Sequence, residues 1–430
     1  MKKVLIFLIC LIGYQIGCHA QMADEHYYFK NLSVQNGLSQ NTVNAILQDK
    51  QGFMWFGTKD GLNRYDGLSF RKFKHDDRTR RSIGNNFITA LYEDAKGNIW
   101  VGTDVGLYIY NPEKDSFRHF AELSAENTKI EHTVTAISGD NKGCVWVAVE
   151  SQGLFCYDLE EGILQNHTLK NFSFISTNVQ SFVFDNSGTL GDGLFYSKDR
   201  LQTLHPYVSP VDDQKTYEND VVIGLVKGAY NCLYIGSLKG GVKELNLTSN
   251  KLHDLLSKDE SGESVFCREL LVASDNELWI GAESGLYIYN LRMGKYVHLR
   301  SSINDPYSLS DNAIYSLCKD REGGIWIGSY FGGVNYYPRF YTYFEKYYPK
   351  GTDNGLRGKR VREFCQDNQG ILWIGTEDGG LNRFNPKTKT FSFFTPSSAF
   401  TNVHGLCLIG DHLWVGTFSK GVKVVDTRTG

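Results

Sequence analysis

Three groups of residues in this chain have the side-chain types that grip a polyhydroxylated or acidic small molecule. One is basic and amide-rich: Arg78, Arg80 and Arg81 followed by Asn85 and Asn86, with Glu131, His132, Arg268, Asp311 and Asn312 at comparable later positions. A second group, Lys59, Asp60, Glu150, Lys239 and Glu283, follows runs that carry an aromatic residue. The third is the adjacent pair Tyr330 and Phe331. Guanidinium and carboxamide groups form paired hydrogen bonds to carboxylates and hydroxyls, and aromatic faces stack on sugar rings, so the chemistry on offer is recognition. Two plainer readings stay open: the arginine run as a solvated loop, and Tyr330 with Phe331 as a packing cap.

Bond-making chemistry finds little support. The 11 histidines are scattered singly, without a His-Glu-x-x-His spacing, and no Gly-x-Ser-x-Gly occurs. Glycan-cleaving enzymes do use repeat folds, but they need three converging arginines with a Tyr/Glu pair, or a histidine cluster for a metal. Neither is evident, so no catalytic residue, metal or cofactor is expected.

Whether the recognition residues meet depends on the elements that carry them. All seven tryptophans, Trp55, Trp100, Trp146, Trp279, Trp326, Trp373 and Trp414, are followed two residues on by Gly or Ala. Their spacings are 45, 46, 133, 47, 47 and 41, and the long gap holds two degenerate copies near Leu190 and Tyr234. A fixed period of this size marks a repeat architecture. The first copy reads as four short β-like runs, Val43 to Asp49, Phe53 to Thr58, Leu62 to Tyr65 and Ser69 to Phe73, separated by Asp/Gly turns. An Asp-x-x-Gly turn precedes the tryptophan run in most copies, as at Asp94 to Gly97 and Asp320 to Gly323, and is hairpin chemistry: the carboxylate takes its own turn amides.

The tryptophan runs are apolar on consecutive residues, as in Ile325-Trp326-Ile327, which predicts strands covered on both faces and a core role for every tryptophan. The expected fold is all-β: a β-propeller of four-stranded blades. Nine blade markers exceed the usual four to eight. A seven-bladed propeller over 21–340 is therefore expected, followed over 341–430 by the first two blades of a second, incomplete one. The aromatic stretch Tyr27-Tyr28-Phe29 is suited to pair with the seventh blade, and Tyr341 to Phe344 to open the next propeller. The fourth copy is odd, because Asp185 to Gly193 spans 8 residues where Asp49 to Gly61 spans 12.

Lys2-Lys3, the apolar run Val4 to Ile12 and a polar stretch ending Cys18-His19-Ala20 have the shape of a secretory leader, residues 1–20, cleaved after Ala20. Acylation at Cys18 is an alternative that Gln15 disfavours. The seven cysteines beyond the leader are an odd number, and Cys318 and Cys365, which fall where the first copy has Leu47, read as small core hydrophobes. After the leader no stretch reaches the ~20 apolar residues needed to span a bilayer. A net charge of −3 gives no global field, so neither nucleic acid nor an anionic membrane is an expected partner.

Three segments together, Gly37-Leu38-Ser39-Gln40-Asn41-Thr42-Val43, Asp49-Lys50-Gln51-Gly52 and Trp55 to Gly67, closely resemble the two-component regulator propeller repeat, and the resemblance extends over nearly all of the chain beyond the leader. It implies the periplasmic sensor region of a hybrid two-component system that controls polysaccharide use by binding a released oligosaccharide. The family's kinase, receiver and output modules are not in this sequence. The resemblance also implies partners in the remaining propeller and membrane-proximal modules of a longer sensor, and a homodimer formed through them. Two rival readings stay open, an exported propeller enzyme acting on glycans and a fragment without function of its own. In a propeller, the loops entering inner strands share a face with those leaving the tryptophan strands. Lys59, Asp60, Arg78, Arg81, Asn85, Asn86, His132, Lys239, Arg268, Asn312, Tyr330 and Phe331 are the resulting ligand candidates.

Overall fold

The computed structural model describes residues 27–122, 130–140, 143–162, 164–166, 179–183, 189–191, 194–196, 205–206, 220–339, 344–351, 354–393 and 400–429. The leader, the turn from Asp185 to Gly188, Gly193, and Tyr341 to Tyr343 lie outside them. Within the described residues the chain is built of antiparallel sheets and two single 3-10 turns. The chain divides into two units, one of residues 1–301 with 307–339 and the other of residues 302–306 with 340–430.

In the first unit the leading sheet is representative: Val43–Gln48, Met54–Thr58, Gly61–Tyr65 and Phe70–Phe73, each paired with its neighbour in sequence. Equivalent sheets begin at Ile88, Val134, Phe182, Val222, Cys267 and Ile314. The last has three strands of its own, and its fourth is Lys30–Leu32, paired with Val334–Tyr337. The strand that closes this sheet thus directly follows the aromatic stretch at 27–29, whose Tyr27 and Phe29 rings pack on Tyr337 at 5.3 and 5.9 Å. Each first strand neighbours the next, and the strand at Ile314 returns to the one at Val43.

The fit between neighbouring sheets explains the glycine two residues after most of the tryptophans. A Cβ on Gly57 would lie 2.6 Å from Ile88 Cγ2, the opening residue of the next inner strand. Gly102 faces Val134 in the same way at 2.6 Å, Gly281 faces Ile314 at 2.8 Å, and Gly328 faces Val43 at 2.9 Å, across the return from last sheet to first. Interiors are close-packed, so a β-branched residue on one sheet requires a missing side chain on the other.

The second strands Met54–Thr58, Ile99–Thr103 and Ile325–Ser329 are buried end to end, in accord with their consecutive apolar residues. The degenerate fourth copy still forms four strands, but of two or three residues each: Phe182–Val183, Thr189–Gly191, Leu194–Tyr196 and His205–Pro206. Cys318 and Cys365 pack against separate apolar clusters.

The second unit holds one four-stranded sheet, Val361–Gln366, Leu372–Thr376, Gly380–Asn385 and Thr390–Phe393, and one three-stranded sheet, Val403–Ile409, His412–Thr417 and Gly421–Asp426. Here one expectation is corrected. Trp414 is 44% exposed rather than core, with Val422 and Val424 exposed near it. No sheet among the described residues covers that face, and a Cβ on Gly416 would meet only Gly405, at 3.7 Å or more.

Candidate functional site

One backbone device repeats in both units and builds the candidate face. Except in the fourth sheet, whose inner strand has only two residues, the inner strands are bulged at their second residue, with register shifts between Val43 and Ala45, Ile88 and Ala90, Cys267 and Glu269, Ile314 and Ser316, and Val361 and Glu363, among others. A bulge turns its extra side chain away from the pleat. The first residue after each second strand then donates its amide to the carbonyl preceding the inner strand: Lys59 to Thr42, Asp104 to Phe87, Glu283 to Phe266, Tyr330 to Ala313 and Glu377 to Arg360. The bulged residue and the exit residue, fifteen positions apart in all of these sheets but the last of the chain, are therefore held side by side at one edge of each bulged sheet.

These paired slots carry different chemistry around the first unit. They are Asn44 and Lys59, Thr89 and Asp104, Thr135 and Glu150, Ile223 and Leu238, Arg268 and Glu283, and Tyr315 and Tyr330. Small polar members bond to neighbouring sheets: Asn44 Nδ2 donates to the Ile88 carbonyl at 2.8 Å, and Thr89 Oγ1 to that of Val134 at 2.6 Å. The large members cluster on the sixth, seventh and first sheets.

That cluster is a continuous arc. Arg268 Nε donates to Glu283 Oε1 at 2.7 Å, and its guanidinium lies 5.0 Å from the centre of the Tyr315 ring, whose hydroxyl donates to the same Glu283 oxygen at 3.2 Å. The Tyr315 and Tyr330 rings are 5.0 Å apart, and Phe331 stands edge-on to Tyr330 at 4.5 Å. Lys59 Nζ donates to the Tyr330 hydroxyl, and lies 4.0 Å from that ring's centre and 5.8 Å from that of Phe87. Burial, the largest influence, raises the Tyr315 phenol above its ordinary pKa, so it stays a hydrogen donor at neutral pH.

The turn that presents Phe331 is fixed by Asp311, whose Oδ2 accepts the Phe331 amide at 2.8 Å, and by Gly333 at φ +81°. Phe331 is nevertheless 71% exposed. Beside Lys59, Asp60 is held by Lys74 at 2.5 Å and by Asn86 at 3.3 Å.

The structure thus brings Lys59, Asp60, Asn86, Arg268, Tyr330 and Phe331 into one neighbourhood and assigns the other candidates to local duties. Arg78 is 89% exposed and forks onto Asp76 at 2.8 and 2.9 Å, which lowers the Asp76 carboxyl to about 2. Asn85 Oδ1 caps its own turn through the Phe87 amide at 2.7 Å, and Asn312 Oδ1 accepts the Ser301 amide at 2.7 Å. Arg81 and His132 are exposed, and the Lys239 amide is held by Asp220 on the fifth sheet. Sequence reasoning left out Tyr315 and Phe87. The fifteen-residue spacing from Tyr315 to Tyr330, matched by Arg268 to Glu283, was the signal for Tyr315. Among the described residues no three His, Cys, Asp or Glu side chains converge as a metal site, and no helix is long and apolar enough to cross a membrane.

Comparison with known proteins agrees with this architecture. The family model described as two component regulator propeller matches residues 37–60, 82–105, 308–331 and 355–378. Each match runs from a loop before an inner strand to the turn after the second, so together they contain most of the arc. Histidine kinase P4 of Formosa agariphila is 32% identical over 83 residues, 19% of this chain and 6% of that protein. The extracellular domain of a protein assigned as the hybrid two component system BT3049 of B. thetaiotaomicron superposes with a TM-score of 0.69 at 26% identity, covering 94% of this chain and 54% of that one. That of BT4673 from the same organism gives 0.62 at 20% identity, over 94% and 59%. The chain therefore carries two-component regulator propeller repeats on an all-β propeller fold. It spans little more than half of those solved domains and a small fraction of the kinase.

Proposed function

We propose that this chain is the ligand-sensing propeller region of a hybrid two-component system controlling polysaccharide use, that it acts in the periplasm, and that its ligand is an oligosaccharide. On this reading residues 1–20 are a cleaved leader, 21–340 one seven-bladed propeller and 341–430 the first two blades of a second. Phosphotransfer and gene control belong to other modules of the longer protein, which also supply any homodimer contact.

The observation that carries the reading is the arc from Arg268 to Lys59. It unites an exposed aromatic edge, a tyrosine pair and charged hydrogen-bonding groups on rigid strand ends, as sites for sugars require. Nothing in it supplies a nucleophile with an adjacent base. The test is calorimetric titration of the mature chain with neutral and acidic oligosaccharides, with product analysis of every mixture. Saturable binding without cleavage is expected; turnover, or silence from a folded chain, would refute the reading.

A further inference from the structure

The charges along the arc are not evenly matched. Arg268 has its counter-ion in Glu283, and Asp60 has Lys74. Lys59 has none: its ammonium donates to the neutral Tyr330 hydroxyl and rests against the Tyr330 and Phe87 rings, and no carboxylate among the described residues lies within ion-pair distance of it. Aromatic faces attract a cation without neutralising it. An ammonium has three protons to donate, and the protein's hydrogen bonds here engage one of them.

Placement adds to this. Lys59 is half-buried beside Tyr330, and Phe331 follows Tyr330 with its ring in solvent, held by Asp311 and Gly333. A cation without a counter-ion and an exposed ring on a fixed turn therefore both pack against Tyr330. Across the arc, Arg268 and Tyr315 both engage Glu283 Oε1, so that carboxylate already has its counter-ion.

We infer that the arc takes an acidic sugar, its carboxylate or sulfate ion-paired to Lys59 and its ring stacked on Phe331. The inference rests on the oligosaccharide-sensing reading and narrows it to one substrate class. Lys59 is the charge-selecting residue and Phe331 the platform. Arg268 and Glu283 hold the Tyr315 and Tyr330 rings in place without contributing net charge.

The test uses the full mature chain and three probes: tetragalacturonate, a chondroitin sulfate tetrasaccharide, and the neutral xylotetraose as control. Expected is saturable binding of at least one acidic probe, weakened as salt is raised, and none of the neutral one. Lys59→Met, which keeps the apolar stem, should weaken acidic binding by ~10-fold or more, the size of a lost charged hydrogen bond, while Lys59→Arg retains most of it. Phe331→Ala should weaken binding with the salt dependence unchanged. Circular dichroism and unfolding curves show whether each variant folds, and the exposed Phe331 variant serves as a second handle if Lys59→Met does not. Binding of xylotetraose with equal affinity in wild type and Lys59→Met would overturn the acidic-sugar inference while leaving the sensor reading intact. Acidic binding indifferent to Lys59→Met, or no binding by any probe, would also overturn the inference.

Discussion

Asp94 and Trp100 are joined side chain to side chain. Asp94 Oδ2 accepts the indole Nε1 hydrogen at 2.9 Å, while its Oδ1 takes the Asn98 amide at 2.9 Å, and both residues are about 1% exposed. The pair recurs six residues apart as Asp49 with Trp55 at 2.6 Å, Asp140 with Trp146 at 3.0 Å, Asp320 with Trp326 at 3.0 Å and Asp367 with Trp373 at 2.8 Å. The turn carboxylate therefore tethers the core tryptophan as well as closing the hairpin. Where the turn lacks the motif, in the sixth sheet, Trp279 donates instead to Glu277.

Asp94→Ala leaves the indole as a buried donor and the turn amide as a part-buried one, both without their partner. We expect a loss of ~3 kcal/mol, since each such donor costs about 1–3 kcal/mol. Asp94→Asn keeps an acceptor for the amide and should lose about half as much. Urea unfolding followed by tryptophan fluorescence measures both. An Asp94→Asn variant as stable as wild type would show that the indole bond contributes nothing beyond the turn.

Gly102 and Gly416 occupy the same place in the repeat and should respond oppositely to alanine. A Cβ on Gly102 would meet Val134 Cγ1 at 2.6 Å, so Gly102→Ala forces two sheets apart and should cost ~1–3 kcal/mol as overpacking. At Gly416 the nearest atom would be 3.7 Å away, an ordinary contact, and alanine should change stability by less than ~0.5 kcal/mol. Differential scanning calorimetry of the two variants checks this, and a cost at Gly416 equal to that at Gly102 would contradict the account.

The same glycines show what the sequence made legible. Period, turn carboxylate and consecutive apolar residues could be read because each recurs in a fixed place, and together they specify an all-β repeat fold. The arc was half legible. Lys59, Arg268, Tyr330 and Phe331 could be listed from their loops, but the contacts of Arg268 with Tyr315 and of Lys59 with Tyr330 join different sheets, the latter pair 271 residues apart. Tyr315 was missed because the bulge that turns it to the face has no sequence marker in a single copy. Trp414 misled because its six fellow tryptophans owe their burial to neighbouring strands as well as to their own.

Glu269 should give stability a pH dependence. It lies on the inner strand after Arg268, and burial raises its carboxyl to about 7, with the Leu270 amide opposing at 3.0 Å. A carboxyl whose folded pKa lies above its unfolded value favours the fold fully below about 4.5, and that contribution is lost as pH rises through about 7. Glu269→Gln removes the ionisation, so wild type and variant should be alike near pH 4, and the variant more stable by on the order of 2 kcal/mol at pH 8. Thermal melts across this range decide it; a stability difference independent of pH would exclude the titration.

Arg268 with Glu283 should be a stronger pair than Arg71 with Asp115, although both are short. The Arg71 and Asp115 side chains are 48% and 50% exposed, and such pairs contribute about 0.2–1 kcal/mol and fade in salt. Both arginines lie over a ring, Tyr315 for Arg268 and Phe73 for Arg71, and both carboxylates accept a tyrosine hydroxyl, from Tyr315 and Tyr110, but Arg268 and Glu283 are only 30% and 35% exposed. Less water therefore competes for the Arg268 pair. Double-mutant cycles with alanine should return a coupling of ~1–2 kcal/mol for Arg268 with Glu283, and a smaller one, within the surface range, for Arg71 with Asp115. In 1 M salt the first should persist in large part and the second should vanish. If both couplings vanish together, the arc's charges are as solvated as the open surface, and the case for a preorganised ligand face fails with them.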